Sequence, residues 1–472
     1  MNVSRLIVPA LRWHNETGFS HESARIDDAL ALGVGGFIIF GGTAAAVREL
    51  TTSLAMRSAH PLLLASDLER GAGQQFEGLT QVPPPAALAA LGRDDVVRWA
   101  GAITAREALA VGINWVFAPV ADLDVLADNP IVQTRAFGAE PGRVARAVAA
   151  WVQGCQQAGA LGCAKHYPGH GRTFADSHIT LPTVDEPFAV LDASDLVPFR
   201  AAAEVGVASM MTAHVAYPAL DPSGLPATLS PAIIGRLRAE GYDGLVVSDA
   251  LIMDGALQGR SEADAGVEAL MAGVDVLLYP ERPRDVSAAL EHALADGRLA
   301  PARVAEALGR IDRALASTGG GTGVATPTLA VDDVAQALLD LPLARGTAPA
   351  LHAPIELVIV DDDLGGPYPA SITSAVRDGL TRLGVPLGEG GSKVLLVFAE
   401  PRAWKGRSGL GAEARAVLAA QTASVALVAL FGHPRLMAEI PDGPPVLVAW
   451  HRQRLMQGAV AHWLAHALGV RA

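Results

Sequence analysis

Gly244-Leu245-Val246-Val247-Ser248-Asp249-Ala250-Leu251-Ile252-Met253-Asp254 opens as an apolar run of strand length and closes directly on an acid. A helix-length segment, Pro231 to Glu240, precedes it. The same unit recurs on both sides. Short β-rich runs read Leu6 to Trp13, Gly36 to Phe40, Leu62 to Asp67, Asn114 to Asp122, Cys163 to His170, Ala208 to Val215, Gly244 to Asp249, and Val274 to Pro280. Segments rich in Ala, Leu, Arg and Glu separate most of them, such as Asp94 to Ala110 and Pro141 to Ala160. Strands alternating with helices predict a parallel sheet. Eight such units predict an α/β fold of the (β/α)8, TIM-like barrel type.

Beyond a last barrel helix, roughly Pro301 to Ala316, Ser317-Thr318-Gly319-Gly320-Gly321-Thr322-Gly323 has the composition of a linker. A second alternating pattern follows, with strands at Leu357 to Val360, Val394 to Phe398, Val425 to Phe431 and Val446 to Trp450. Helices fall at Ile372 to Leu383 and Gln453 to Leu468. The expected division is a catalytic barrel over residues 1–316, a linker and connecting helix over 317–350, and a smaller three-layer α/β sandwich domain over 351–472. The second domain carries no dinucleotide fingerprint. Gly365-Gly366 runs into Pro367, and Gly388-Glu389-Gly390-Gly391 leads into a strand rather than a helix. Its expected role is to pack against the barrel.

With 472 residues, half of them hydrophobic and 18% charged, the chain has ample material for two cores. A formal charge of −13 without a Lys/Arg cluster argues against a nucleic-acid partner. No run is long enough to span a membrane, and Met1 to Trp13 lacks the pattern of a signal peptide, so a cytoplasmic location is expected. Cys155 and Cys163 fit no metal spacing and read as small core residues of a reducing compartment. Neither cofactor nor metal is expected.

The predicted strands end in polar groups: Asp67, Asp122 with Asp124, Lys165 with His166, His214, and Asp249. Such residues are costly to bury without partners, and their convergence at one rim of a barrel points to an active site. Lys165-His166-Tyr167-Pro168-Gly169-His170-Gly171 continues to Asp176-Ser177-His178 in a loop too rich in Gly and Pro for a helix. A carboxylate two residues before a histidine can hold its tautomer and raise its basicity, making a proton-transfer pair. The plain alternative is a surface loop whose His178 merely hydrogen-bonds. His166 and His170 have zinc spacing only on a helix, which Pro168 and Gly169 disfavour. Asp249, closing a buried strand, suits a nucleophile, a base, a metal ligand or a simple turn cap. The nucleophile leads because no oxygen-rich cage accompanies it.

Lys-His-Tyr-Pro-Gly-His-Gly, then Asp-Ser-His, then Ser-Asp-Ala-Leu-Ile-Met about 70 residues on, resembles glycoside hydrolase family 3 in its β-N-acetylglucosaminidase branch. The resemblance covers the barrel throughout and the second domain more weakly. It implies Asp249 as nucleophile, Asp176 with His178 as the acid/base pair, and Lys165, His166, Asp67 and Arg135 as sugar contacts. Pro226-Ala227-Thr228-Leu229-Ser230 is another family-like stretch, read as structural. It implies a retaining exo-acting β-N-acetylhexosaminidase working on small carbohydrates, in particular cell-wall-derived N-acetylglucosaminides. There are departures: Asp67-Leu68-Glu69-Arg70-Gly71 stands where Asp-Gln-Glu-Gly-Gly is common, Gln75 replaces an Arg, and Arg172 an Asp. Rival readings are a β-glucosidase, a phosphorylase using phosphate as acceptor, and a catalytically inactive sugar-binding barrel.

Overall fold

The computed structural model of the chain describes residues 2–174, 180–321, 328–364, 372–400 and 405–470. Asp176, His178, Thr322, Gly323, Gly365, Gly366 and Pro367 lie outside these. Two compact units emerge. The first comprises Met1–Thr80, Asp94–Val125 and Ala139–Pro327; the second comprises Gln81–Arg93, Leu126–Gly138 and Thr328–Ala472.

The first unit is the (β/α)8 barrel. Its strands are β1 (Ile7–Val8), β2 (Ala10–Arg12), β3 (Gly36–Phe40), β4 (Leu63–Ser66), β5 (Trp115–Val116), β6 (Leu161–Tyr167), β7 (Ser209–Thr212), β8 (Leu245–Ser248) and β9 (Leu277–Leu278). β2 to β8 form one parallel sheet in chain order. Val247 bridges to Val276 just before β9, and β9 pairs in parallel with β1. Pro9, which has no N–H to give a ladder, divides the first run, so β1 serves β9 and β2 serves β3. Counting these halves as one, eight strands close the ring.

The helices outside obey their sequence signals. Glu140 caps Pro141–Gln157 by accepting from the N–H groups of Gly142 and Arg143, and Pro141 takes the first turn, where no donor is needed. Val144, Val148, Trp151, Val152 and Cys155 recur at helical spacing and are all buried. This face meets Asp94–Ala110 at glycines. A Cβ on Gly154 would sit 1.9 Å from the Arg98 carbonyl oxygen, and one on Gly101 2.3 Å from that of Trp151. At the entry side of β9, Asp275 is fully buried and satisfied by cations. Its Oδ2 accepts from Arg238 at 2.7 Å and from Val246 N–H at 2.9 Å, and its Oδ1 from Arg303 and from Arg310 at 3.1 Å.

The second unit holds a four-stranded parallel sheet, β10 (Ile355–Asp361), β11 (Ser392–Ala399), β12 (Leu427–Gly432) and β13 (Val446–Val448), ordered as in the chain. Alternate residues feed two cores, as period-two geometry requires. Leu396, Phe398, Ala429 and Phe431 pack with Val376, Leu380, Val460 and Leu464, on helices Ala375–Arg382 and Arg454–Ala467. Leu395, Val397, Val428 and Leu430 pack with Ala414 and Leu418, on Ala412–Gln421. Two covered faces make three layers. Among the described residues, no helix is long and apolar enough to cross a membrane.

Candidate active site

Lys165, in β6, buries its ammonium almost completely, with 3% of the side chain exposed. A buried ammonium is tolerated only with partners. Lys165 Nζ donates to Asp67 Oδ1 at 2.6 Å and lies 2.8 Å from Glu69 Oε1. Asp67 stands immediately after β4, and its side chain remains 31% exposed while that of Glu69 is buried. The pair therefore anchors Lys165 through Glu69 and leaves Asp67 within reach of a ligand.

The ladder between β6 and β7 slips at the next residue. Lys165 pairs with Met211 and Tyr167 with Thr212, so His166 is the extra residue of a bulge. A bulge re-aims a side chain. His166 Nδ1 meets Asp122 Oδ2 at 2.7 Å, and Asp122 Oδ1 accepts from the backbone N–H groups of His166 and His170 at 3.0 and 2.7 Å. Burial alone would raise the Asp122 pKa. The His166 imidazole and the hydrogen bonds from His166 and His170 outweigh it and hold the carboxyl below its usual range. An ionised Asp122 accepts a hydrogen bond from Nδ1–H, which commits His166 to the tautomer that turns Nε2 to other partners.

His170 is fixed by Thr173, whose hydroxyl lies 2.8 Å from Nδ1 and donates to the His170 carbonyl at 3.1 Å. Burial lowers its pKa to about 4, against the opposing pull of the Asp122 charge, so the ring is neutral near neutral pH. The loop beyond runs tight against the one after Asp122, because a Cβ on Gly171 would sit 1.9 Å from the Leu123 carbonyl oxygen. His214, closing β7, is spanned at both nitrogens: Nδ1 by Thr228 Oγ1 at 2.8 Å and Nε2 by the Ala250 carbonyl at 3.0 Å. It ties the end of β7 to the residue after Asp249.

Asp249 follows β8 and is half-buried, with Oδ1 accepting from Ala250 N–H at 2.7 Å. Cys163 lies beneath this rim. Burial pushes its thiol up to about 12, and the charges of Lys165, Asp67 and Asp249 all bear on it. Both cysteines are buried, unpaired thiols in helix and strand, without the electropositive setting of a reactive thiolate.

Asp67, Lys165, His166 and Asp249 thus all stand at or just beyond the C-terminal ends of strands of the first unit, and Lys165 touches Asp67. Arg135 belongs to the second unit, on a short turn, Gln133–Arg135, with Nη1 3.4 Å from the Ile131 carbonyl. Asp176 and His178 lie outside the described residues. Glu69, Thr173 and Thr228 join the site without having been singled out as its members. Glu69 sits two positions after Asp67, the spacing of one side of an extended chain, and that was its available signal. Among the described residues, no group of three or more His, Cys, Asp or Glu is placed to hold a metal ion.

The profile of the Glycosyl hydrolase family 3 N terminal domain matches residues 16–314. A "Beta-N-acetylglucosaminidase/beta-glucosidase" of Cellulomonas fimi is 34% identical over 307 residues, 63% of this chain and 54% of that protein. The chain thus spans about half the length of that relative. A "Beta-hexosaminidase" of Alkalilimnicola ehrlichii is 40% identical over 271 residues, 55% of this chain and 77% of that protein. Among solved structures, a glycoside hydrolase family 3 beta-N-acetylglucosaminidase from Paenibacillus sp. superposes with a TM-score of 0.84 at 27% identity, covering 100% of this chain and 96% of the other.

Proposed function

The chain belongs to glycosyl hydrolase family 3, and on that premise we propose that it is a retaining exo-β-N-acetylhexosaminidase. Its substrates are small β-linked N-acetylhexosaminides, cell-wall-derived fragments among them. The observation that carries the reading is Asp249, a half-buried carboxylate at the end of β8, sharing one rim with the Lys165–Asp67 and His166–Asp122 pairs. The names of the relatives in Cellulomonas and Alkalilimnicola support the choice of sugar.

In this mechanism Ala250 N–H steadies the Asp249 carboxylate, which attacks the anomeric carbon. Protonated His178, oriented by Asp176, gives its proton to the departing glycosidic oxygen. The bond from sugar to aglycone breaks as the ester to Asp249 forms. Neutral His178 then takes a proton from water, whose oxygen opens the ester from the opposite face and restores the starting configuration. Asp67 and Lys165 hold sugar hydroxyls, and His166 offers Nε2.

The test is release of nitrophenol from 4-nitrophenyl N-acetyl-β-glucosaminide. Asp249→Ala is expected to abolish turnover, and His178→Ala to lower it by about 10²–10⁴-fold. Near wild-type turnover by Asp249→Ala removes the nucleophile and with it the mechanism. The corresponding aryl glucoside, and added phosphate with sugar 1-phosphate sought as product, separate the hexosaminidase from a glucosidase and from a phosphorylase.

A further inference from the structure

Arg12 closes β2 at the same end of the barrel and is exposed. An exposed arginine is ordinarily mobile, but this one is clamped. Its guanidinium carbon lies 4.3 Å from the centroid of Phe40 and 5.2 Å from that of Tyr279. Its Nε donates to the Tyr279 hydroxyl at 2.7 Å, and its backbone N–H donates to the buried Glu22 carboxylate at 3.0 Å. Tyr279 itself takes a left-handed backbone conformation, φ 52°, rare for a bulky residue and found most often where a site imposes it. With Nε and the ring-facing side engaged, the outer edge of the guanidinium, Nη1 and Nη2, makes no hydrogen bond among the described residues. A fixed guanidinium edge is the bidentate complement of a carboxylate or a phosphate.

The register places this edge relative to the site. Arg12 pairs with Phe40 across β2 and β3, and Ile38 with Ala65 across β3 and β4, so Phe40 and Asp67 each stand two residues beyond that last pair on neighbouring strands. Two strand spacings separate Arg12 from Asp67, about 10 Å. That is room for a sugar ring and the group attached to it. On the other side, Tyr279 follows β9, whose Leu278 carbonyl accepts from Leu251 N–H, two residues beyond Asp249. The clamp therefore lies between the Asp67 and the Asp249 ends of the rim.

Resting on the glycosidase reading above, we propose that Arg12 is a specificity-determining residue that binds an oxyanion next to the scissile bond. The oxyanion need only present two oxygens to the guanidinium edge, as a carboxylate on the leaving group or a tetrahedral inorganic phosphate in the acceptor position both do. The experiment uses the full chain and its Arg12→Met and Arg12→Lys variants on two aryl N-acetyl-β-glucosaminides, one with a neutral nitrophenol and one carrying a ring carboxylate. Each is run with and without inorganic phosphate.

A charge-assisted bidentate contact corresponds to a change of about 10- to 100-fold. Arg12→Met is expected to lower by that factor either the preference for the carboxylated substrate, mainly through KM, or the acceleration by phosphate. The arm that moves identifies the source of the oxyanion. Arg12→Lys, which keeps the charge but not the fork, is expected to recover only part. If both ratios are the same in wild type and Arg12→Met, the assignment is overturned. Should Arg12→Met melt below the assay temperature, Arg12→Gln, which retains a donor for Tyr279, carries the same comparison. Full activity of Asp249→Ala would instead overturn the glycosidase reading, whatever Arg12 does.

Discussion

Acidification should weaken the fold well above the range where its carboxylates titrate, and His170 is the reason. Its ring is fully buried beside Asp122, whose two oxygens are already taken by the His166 ring and by the N–H groups of His166 and His170. The nearby charge favours a proton on the ring, yet burial wins and lowers the pKa to about 4. In the unfolded chain the same imidazole titrates near its ordinary 6.5. As pH falls below 6.5 the unfolded state therefore binds a proton that the native state refuses until pH 4. Stability is complete above 6.5 and drains away between 6.5 and 4. A difference of roughly 2.5 units, at about 1.36 kcal/mol each, sets the loss at about 3 kcal/mol.

Asp122 acts in a lower window. Its folded pKa lies below the ordinary 3.8, so its contribution is present above that value and lost only as pH falls through the folded one. Urea unfolding of wild type and His170→Gln at pH 7, 6, 5 and 4.5 separates the two effects. The wild-type free energy should fall more steeply than that of the variant, approaching a difference of about 3 kcal/mol by pH 4. Parallel curves from pH 7 to 4.5 would refute the reasoning, because then no buried neutral imidazole is being forced to charge.

Two further substitutions test the supports of the rim and of the base. Asp122→Asn keeps an acceptor for the backbone N–H groups but sets an amide against His166 Nδ1–H, so the ring must change tautomer. Steady-state kinetics should show KM raised about 10-fold at a stability cost of about 1–2 kcal/mol, and an unchanged KM would remove His166 from sugar binding. Asp275→Asn strands three guanidinium groups around one neutral side chain. Denaturant titration should show a loss of about 3–5 kcal/mol with KM unmoved, whereas a loss within 0.5 kcal/mol would show the cluster to be dispensable.

The barrel was legible because each strand is a short apolar run bounded by a polar group and followed by a helix with its own cap. Asp94–Ala110 carries the bounds its pattern predicts, and Pro141–Gln157 stops three residues short of its own. Two of the misreadings fall at prolines. Leu6 to Trp13 reads as one strand, yet Leu6 ends a 3-10 turn and Pro9 splits the rest. Asn114 to Asp122 reads as one strand too, but the ladder holds only at Trp115–Val116, since Pro119 cannot donate, and resumes as a single bridge from Val120 to Lys165. Asp67, Lys165, His166 and Asp249 were legible for the same reason as their strands, because each closes or ends one. Their partners were not. Asp122 meets His166 across 44 residues, Lys165 meets Asp67 across 98, and Arg12 meets Tyr279 across 267. No local period carries such pairings; only closure of the ring does.

The two ends of the strands also treat charge differently, and the difference sorts stability from function. Asp275, at the entry side of β9, is wholly buried and answered by three guanidinium groups, Arg238, Arg303 and Arg310. Such a cluster is closed, and removing a member costs folding energy. At the exit ends two carboxylates are held without being buried. Glu69 buries Lys165 while Asp67 stays 31% exposed, and Ala250 N–H steadies Asp249 while its side chain remains half-buried. A carboxylate kept partly in water by a fold able to bury it forgoes stabilisation that Asp275 obtains. The compensating gain has to come from a ligand, as expected at the catalytic face of a (β/α)8 barrel.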